Sequence, residues 1–232
     1  MHKELVPGLN QIIKKNVEPG QVVLITGAAG TLKSVFTFFY ESNYIDEYNK
    51  YGIYITLEQT KESHLAAMES IGFKMSNNLL LSDYNNMRRD MRDEKEYEID
   101  IISSIKIMIS KLKKDLSDNL SFFALDSMNA LYTLSRMKNP RVQVHSLFTY
   151  LRDNNLISFM IKEHWEHGMS SDLDVQETYL VDGIINLGIM DDSNKISRYI
   201  QITKMRGASH DLKKYQIDIK NSSLMIMSPL YE

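Results

Sequence analysis

The sequence predicts an α/β fold: a mostly parallel central sheet flanked by helices, with antiparallel strands added near the C-terminus. Three observations predict it. A β-branched run at residues 21–26 (QVVLIT) enters a glycine-bearing loop and then a stretch of helical spacing at residues 34–49. Apolar strand-like runs then alternate with helical stretches as far as residue 161, the pattern of parallel strands covered on both faces. After residue 182 the rhythm changes. Runs at residues 183–189, 198–204, 215–219 and 224–227 follow one another without room for helices, so they should pair antiparallel.

The elements follow in order. Residues 52–57 (GIYITL) read as a strand, and residues 61–71 as a helix ended by Gly72. A short strand is expected at residues 78–81. Residues 85–98 are the most charged part of the chain and read as a solvated loop and helix start. Residues 99–116 carry Ile101, Ile102, Ile105, Met108, Ile109 and Leu112 at helical spacing, with Lys111, Lys113 and Lys114 complementing the dipole at the C-terminal end. A buried strand at 121–125 (SFFAL), a helix at 141–154 and a strand at 157–161 complete the alternating part. The prolines, Pro7, Pro19, Pro140 and Pro229, all fall at element edges.

Composition bounds the rest. The chain has 232 residues, 43% of them apolar, which is enough for a proper core, and residues 1–232 are expected to form a single domain. Zero cysteines exclude disulfides and thiolate-metal sites. A net charge of −3 gives no electrostatic ground for tight nucleic-acid binding by the whole chain, and leaves open a local basic lining such as a ring pore. No apolar run approaches the roughly 18 residues of a membrane span, and the opening MHKELVPGLN lacks the pattern of a signal peptide, so a cytoplasmic location is expected.

The loop Gly27-Ala28-Ala29-Gly30-Thr31-Leu32-Lys33-Ser34 has the spacing of a phosphate-binding loop, with Leu32 where the second motif glycine belongs. Between a buried strand and a helix start, backbone N–H groups converge on an anion and the helix dipole assists them. Lys33 can reach the β- and γ-phosphates, and the Ser34 hydroxyl can ligate Mg²⁺. Glycine at position 32 would tolerate a backbone shape that leucine resists. Asp126 closes the strand SFFAL, where a carboxylate can hold Mg²⁺, in this case through water. Glu58 ends the strand GIYITL, where it could polarise an attacking water.

The segments GLNQII, EPGQVVLITGAAGTLKS, YITLEQ, FFALDS, DGIINL and KMRGASH, in that order from about Leu5 to Met227, resemble the KaiC-like branch of the RecA superfamily. The resemblance implies a RecA-like P-loop ATPase with ATP and Mg²⁺ as ligands. Gly30, Thr31, Lys33 and Ser34 match phosphate-loop positions, and Val35 continues the contact. Glu58 matches the first of two adjacent catalytic glutamates, with Gln59 in place of the second. Asp126 matches the Walker-B acid. Arg198, Lys204, Arg206 and His210, with Met205 between them, match residues that reach the nucleotide of a neighbouring subunit; Lys220 and Asn221 fall where the family contacts base or ribose. The resemblance therefore implies a homo-oligomer, a hexameric ring with Lys204 and Arg206 acting in trans.

Other residues invite weaker readings. His164 and His167, flanking Trp165 and Glu166, lack a third metal ligand, and Trp165 reads as a core cover. Glu163 reads as a polar sensor of the nucleotide. Thr178 and Tyr179 match positions that are autophosphorylated in the clock protein, where this chain has a tyrosine at one of them. The leading expectation is an ATP hydrolase acting slowly at subunit interfaces and signalling to an unidentified protein partner. The alternatives are a nucleotide-sensing assembly module with negligible hydrolysis, a weak autokinase, and a DNA-recombination ATPase.

Overall fold

The computed structural model describes residues 4–90, 100–117, 119–135, 137–163, 177–192 and 195–231. The first element, α1 (Leu9–Ile12), is a single turn that tucks Leu9 and Ile12 into the core. The alternating part runs β1 (Val22–Gly27), α2 (Lys33–Tyr48), β2 (Tyr51–Thr56), α3 (Lys61–Ser70), β3 (Leu79–Asp83), α4 (Tyr84–Asp90), α5 (Ile101–Asp115), β4 (Leu120–Asp126), α6 (Met128–Leu134), α7 (Pro140–Asp153) and β5 (Ile157–Glu163). Four strands close the chain: β6 (Gly183–Asp192), β7 (Lys195–Met205), β8 (Tyr215–Lys220) and β9 (Ser223–Pro229).

Among the described residues these strands form one sheet in the order β3-β2-β4-β5-β1-β6-β7-β8-β9. The strands from β3 to β6 are parallel; β7, β8 and β9 are antiparallel to their neighbours. The expected fold class is therefore present: an α/β sheet, mostly parallel, with an antiparallel C-terminal end.

Side-chain alternation divides the core into two layers. Val23 and Ile25 of β1, Phe122 and Ala124 of β4, and Phe159 and Ile161 of β5 face α2, α3 and the β8–β9 hairpin. Val22 and Leu24, Phe123 and Leu125, and Met160 face α5, α6 and α7. The central strands β1, β4 and β5 are buried on both faces, which is why their runs are continuously apolar rather than alternating.

Local chemistry sets the helix starts. Thr60, Asp100, Ser127 and Asn139 each accept a backbone N–H from three residues on, and Pro140 opens α7 where its missing N–H costs nothing. Two helices depart from the sequence-based expectation. Residues 84–90 form α4 at the front of the stretch expected as a solvated loop and helix start, because Asp83 Oδ1 accepts the Asn86 N–H at 2.7 Å and Met87 is buried; residues 91–98 of that stretch lie outside the described residues. The short α6 follows Asp126 directly, its buried Met128 and Leu131 on one face.

Candidate functional site

Strand register aligns the carboxyl ends of the parallel strands. Gly27 stands beside Glu163, Ile161 beside Asp126, Asp126 beside Thr56, and Thr56 beside Asp83. In an open α/β sheet this is the edge at which ligands bind. The loop after β1 rises from it and ends at α2, whose first N–H groups have no partner within the helix.

Two glycines shape that loop. A Cβ on Gly27 would stand 2.0 Å from the Leu187 carbonyl oxygen, so only glycine lets β1 pass β6 so closely. Gly30 has φ 77° and would meet no atom within 4 Å if it carried a Cβ, leaving its backbone open to a phosphate. Leu32 also adopts the left-handed conformation, φ 71° and ψ 22°, and is the N-cap of α2. The loop thus keeps the backbone shape that glycine would favour, at a cost of about 1 kcal/mol for a leucine. Leu32 is half-buried against the core that faces α2, which offsets part of this.

The polar side chains converge here. Lys33 Nζ donates to Ala28 O at 2.6 Å. Burial lowers its pKa, while Glu163, Asp126 and Glu58 pull in the opposite direction. Ser34 Oγ donates to Asp126 Oδ2 at 2.6 Å, and the Tyr54 hydroxyl donates to the same oxygen at 2.9 Å. Burial raises the Asp126 pKa, and these two hydroxyl bonds act to lower it. Glu58 is exposed and accepts a hydrogen bond from Ser127 Oγ. Glu163, half-buried, is held by its backbone: its N–H donates to Asn129 Oδ1 at 2.8 Å and its carbonyl accepts Asn129 Nδ2 at 3.1 Å.

This donor set fits magnesium and a triphosphate. The Ser34 hydroxyl and Asp126 carboxylate are hard oxygen ligands, and Lys33 is a cation framed by acids. No group of three or more His, Asp or Glu able to hold a metal occurs among the described residues.

The residues matched to a neighbour's nucleotide divide between two ends of the sheet. Arg198 lies early on β7 and donates from Nε to Gly30 O at 3.1 Å, within its own chain. The resemblance placed Arg198 with Lys204 and Arg206; the antiparallel course of β7 separates them. Its first residues lie at the loop end, and its last, Met205, pairs with Gly183 at the start of β6. Lys204 and Arg206 are therefore a strand length, roughly 17 Å, from the loop of their own chain. Lys204 Nζ donates to the carbonyls of Thr178 and Val181, both at 2.7 Å, and burial lowers its pKa, assisted by Arg206. Arg206 Nη1 approaches Asp182 Oδ1 at 3.3 Å, and Asp182 Oδ2 accepts Arg152 and the Val22 N–H.

His210 bridges to Ile13. Lys220 and Asn221 form the β8–β9 turn, with Asn221 and Ser222 at positive φ; Ser222 packs against Gly72 beyond α3. Thr178 lies in a helical turn and Tyr179 is 70% exposed. His164, Trp165, Glu166 and His167 lie outside the described residues. Of the residues that act here, sequence reasoning passed over Tyr54, Ser127, Asn129 and Asp182. Tyr54 carried no local signal, since only the pairing of Thr56 with Asp126 brings its strand face to that carboxylate.

No helix among the described residues is long and apolar enough to cross a membrane. Comparison with known proteins agrees with the geometry. A UPF0273 protein of Pyrococcus furiosus is 25% identical over 230 residues, covering 95% of this chain and 91% of its own length. The circadian clock oscillator protein KaiC of Parathermosynechococcus lividus is 23% identical over 232 residues; the match spans only 41% of that longer protein. A solved KaiC-like protein of Pyrococcus horikoshii shares the fold with a TM-score of 0.78 at 22% identity, covering 98% of both chains. The family model described as "ATPase: KaiC" matches residues 2–231. With that model matching almost its whole length, the chain belongs to the KaiC ATPase family.

Proposed function

We propose that residues 1–232 act as one ATPase domain that assembles head-to-tail, as a hexameric ring in the cytoplasm, hydrolyses Mg-ATP slowly at each interface and passes its nucleotide state to a protein partner. The observation that carries this reading is the placement of Lys204 and Arg206 at the sheet end opposite Lys33. They cannot serve their own loop. A second copy stacked head-to-tail would bring them to the γ-phosphate, and such contacts close into rings.

The residues then have distinct tasks. The loop amides and Lys33 bind the β- and γ-phosphates. Ser34 and Asp126 hold Mg²⁺, Asp126 through a water. Bound there, the ion would withdraw charge from the phosphate oxygens. Glu58, fixed by Ser127, accepts a proton from the attacking water as its oxygen bonds to phosphorus and the bond to ADP breaks. Arg206 and Lys204 of the neighbour neutralise the charge developing on the transferred group. Gln59, in place of a second acid, keeps the rate low.

One observation favours a second reading, a sensor with negligible hydrolysis: Leu32 keeps a left-handed backbone at a loop position suited to glycine. Phosphate release from wild type and Glu58→Gln separates the two. Measurable release abolished by the substitution supports the ATPase; equal near-zero rates with intact ATP binding support the sensor.

A further inference from the structure

We propose that Tyr54 is a positioning residue for the metal-holding carboxylate of Asp126, so that the hydroxyl of a core tyrosine sets how tightly magnesium is held with the nucleotide. This rests on the proposed role of Asp126 and goes beyond it.

Tyr54 stands on β2 opposite Ala124 of β4, one side-chain step below the pairing of Thr56 with Asp126. Its side chain is 0% exposed and its hydroxyl reaches Asp126 Oδ2 at 2.9 Å. The ring cannot swing away. Phe38 of α2 meets it edge-on with centroids 6.0 Å apart, and His64 of α3 lies against it at 4.7 Å. Asp126 Oδ2 therefore takes two O–H donors, from Tyr54 below and Ser34 at the loop. Oδ1 receives no hydrogen bond from the described residues and is the oxygen left for a metal-bound water.

The hydroxyl contributes more than filling. Phenylalanine would occupy the same space without burying a phenol, and a buried hydroxyl is costly unless it finds a partner. Here the partner is the one carboxylate at the loop that must stay in a fixed orientation while its other neighbour, Ser34, engages the ion. Outer-shell bonds of this kind orient a ligand and raise metal affinity.

The test is a magnesium titration of ATP binding, followed by calorimetry, for the full chain as wild type, Tyr54→Phe, Asp126→Asn and the double variant. Tyr54→Phe should raise the magnesium concentration for half-maximal coupling about tenfold. Its ATP affinity in chelator should equal that of wild type, which also reports an intact fold. In the Asp126→Asn background the same substitution should add nothing, since its target is gone. A Tyr54→Phe titration that superimposes on wild type, or an equal shift with and without Asp126, overturns the inference while leaving the proposed function standing. Wild-type protein that binds no ATP at any magnesium concentration overturns both.

Discussion

Arg206 Nη1 lies 3.3 Å from Asp182 Oδ1, and this contact parks the guanidinium at the sheet end remote from Lys33. Asp182 is itself anchored by Arg152 and by the backbone of Val22, so Arg206 is presented from a fixed base while its own side chain remains 59% exposed. An exposed cation on a rigid mount is suited to acting on something outside its own chain.

Composite sites predict complementation. Lys33→Ala and Arg206→Ala should each lower turnover, Arg206→Ala by about 1,000-fold with ATP binding nearly intact. Mixing the two variants should restore part of the activity, because some interfaces then combine a sound Lys33 with a sound Arg206. Phosphate release from the mixture checks this; activity that stays at the level of the separate variants would reject a site shared between copies.

Leu32 offers a test of backbone strain. Leu32→Gly removes both the half-buried side chain and the left-handed cost; Leu32→Ala removes the packing and keeps the cost. The glycine variant should therefore be more stable than the alanine variant, by about 1 kcal/mol. It should also bind ATP more tightly than wild type. Thermal melts and nucleotide titration measure the two effects, and an alanine variant at least as stable as glycine would contradict them.

Glu41 predicts an unusual pH dependence. It lies on α2 with no surface exposed and with no hydrogen-bond partner for either oxygen among the described residues, so burial raises its pKa well above 4.5. The folded state then holds this proton more tightly than the unfolded chain. Its contribution to stability is fully present below pH 4.5 and is lost as pH rises toward the folded-state pKa. Glu41→Leu should raise the melting temperature at pH 8, and by less at pH 5. Melting curves at the two pH values decide it; a gain that is equal at both would show that Glu41 is not buried as a neutral acid.

What the sequence determined by itself was whatever depends on neighbours along the chain. Strand, glycine loop and helix at residues 22–48 follow from local spacing, as does the burial of both faces of the central strands β1, β4 and β5. The loop residues, Asp126 and Glu58 could be singled out from the sequence because a strand–glycine loop–helix spacing and strand-end acids are local patterns. The bounds of α4 were not legible in the charged stretch, because it becomes a helix at residues 84–90 only once Asp83 caps it and Met87 finds the core. Tyr54 read as one more apolar strand residue, since only sheet register brings its hydroxyl to Asp126. The tertiary structure alone decided that Arg198 serves its own loop while Lys204 and Arg206 face away. Those residues are close in sequence, but an antiparallel strand converts a few positions along the chain into the full depth of the sheet.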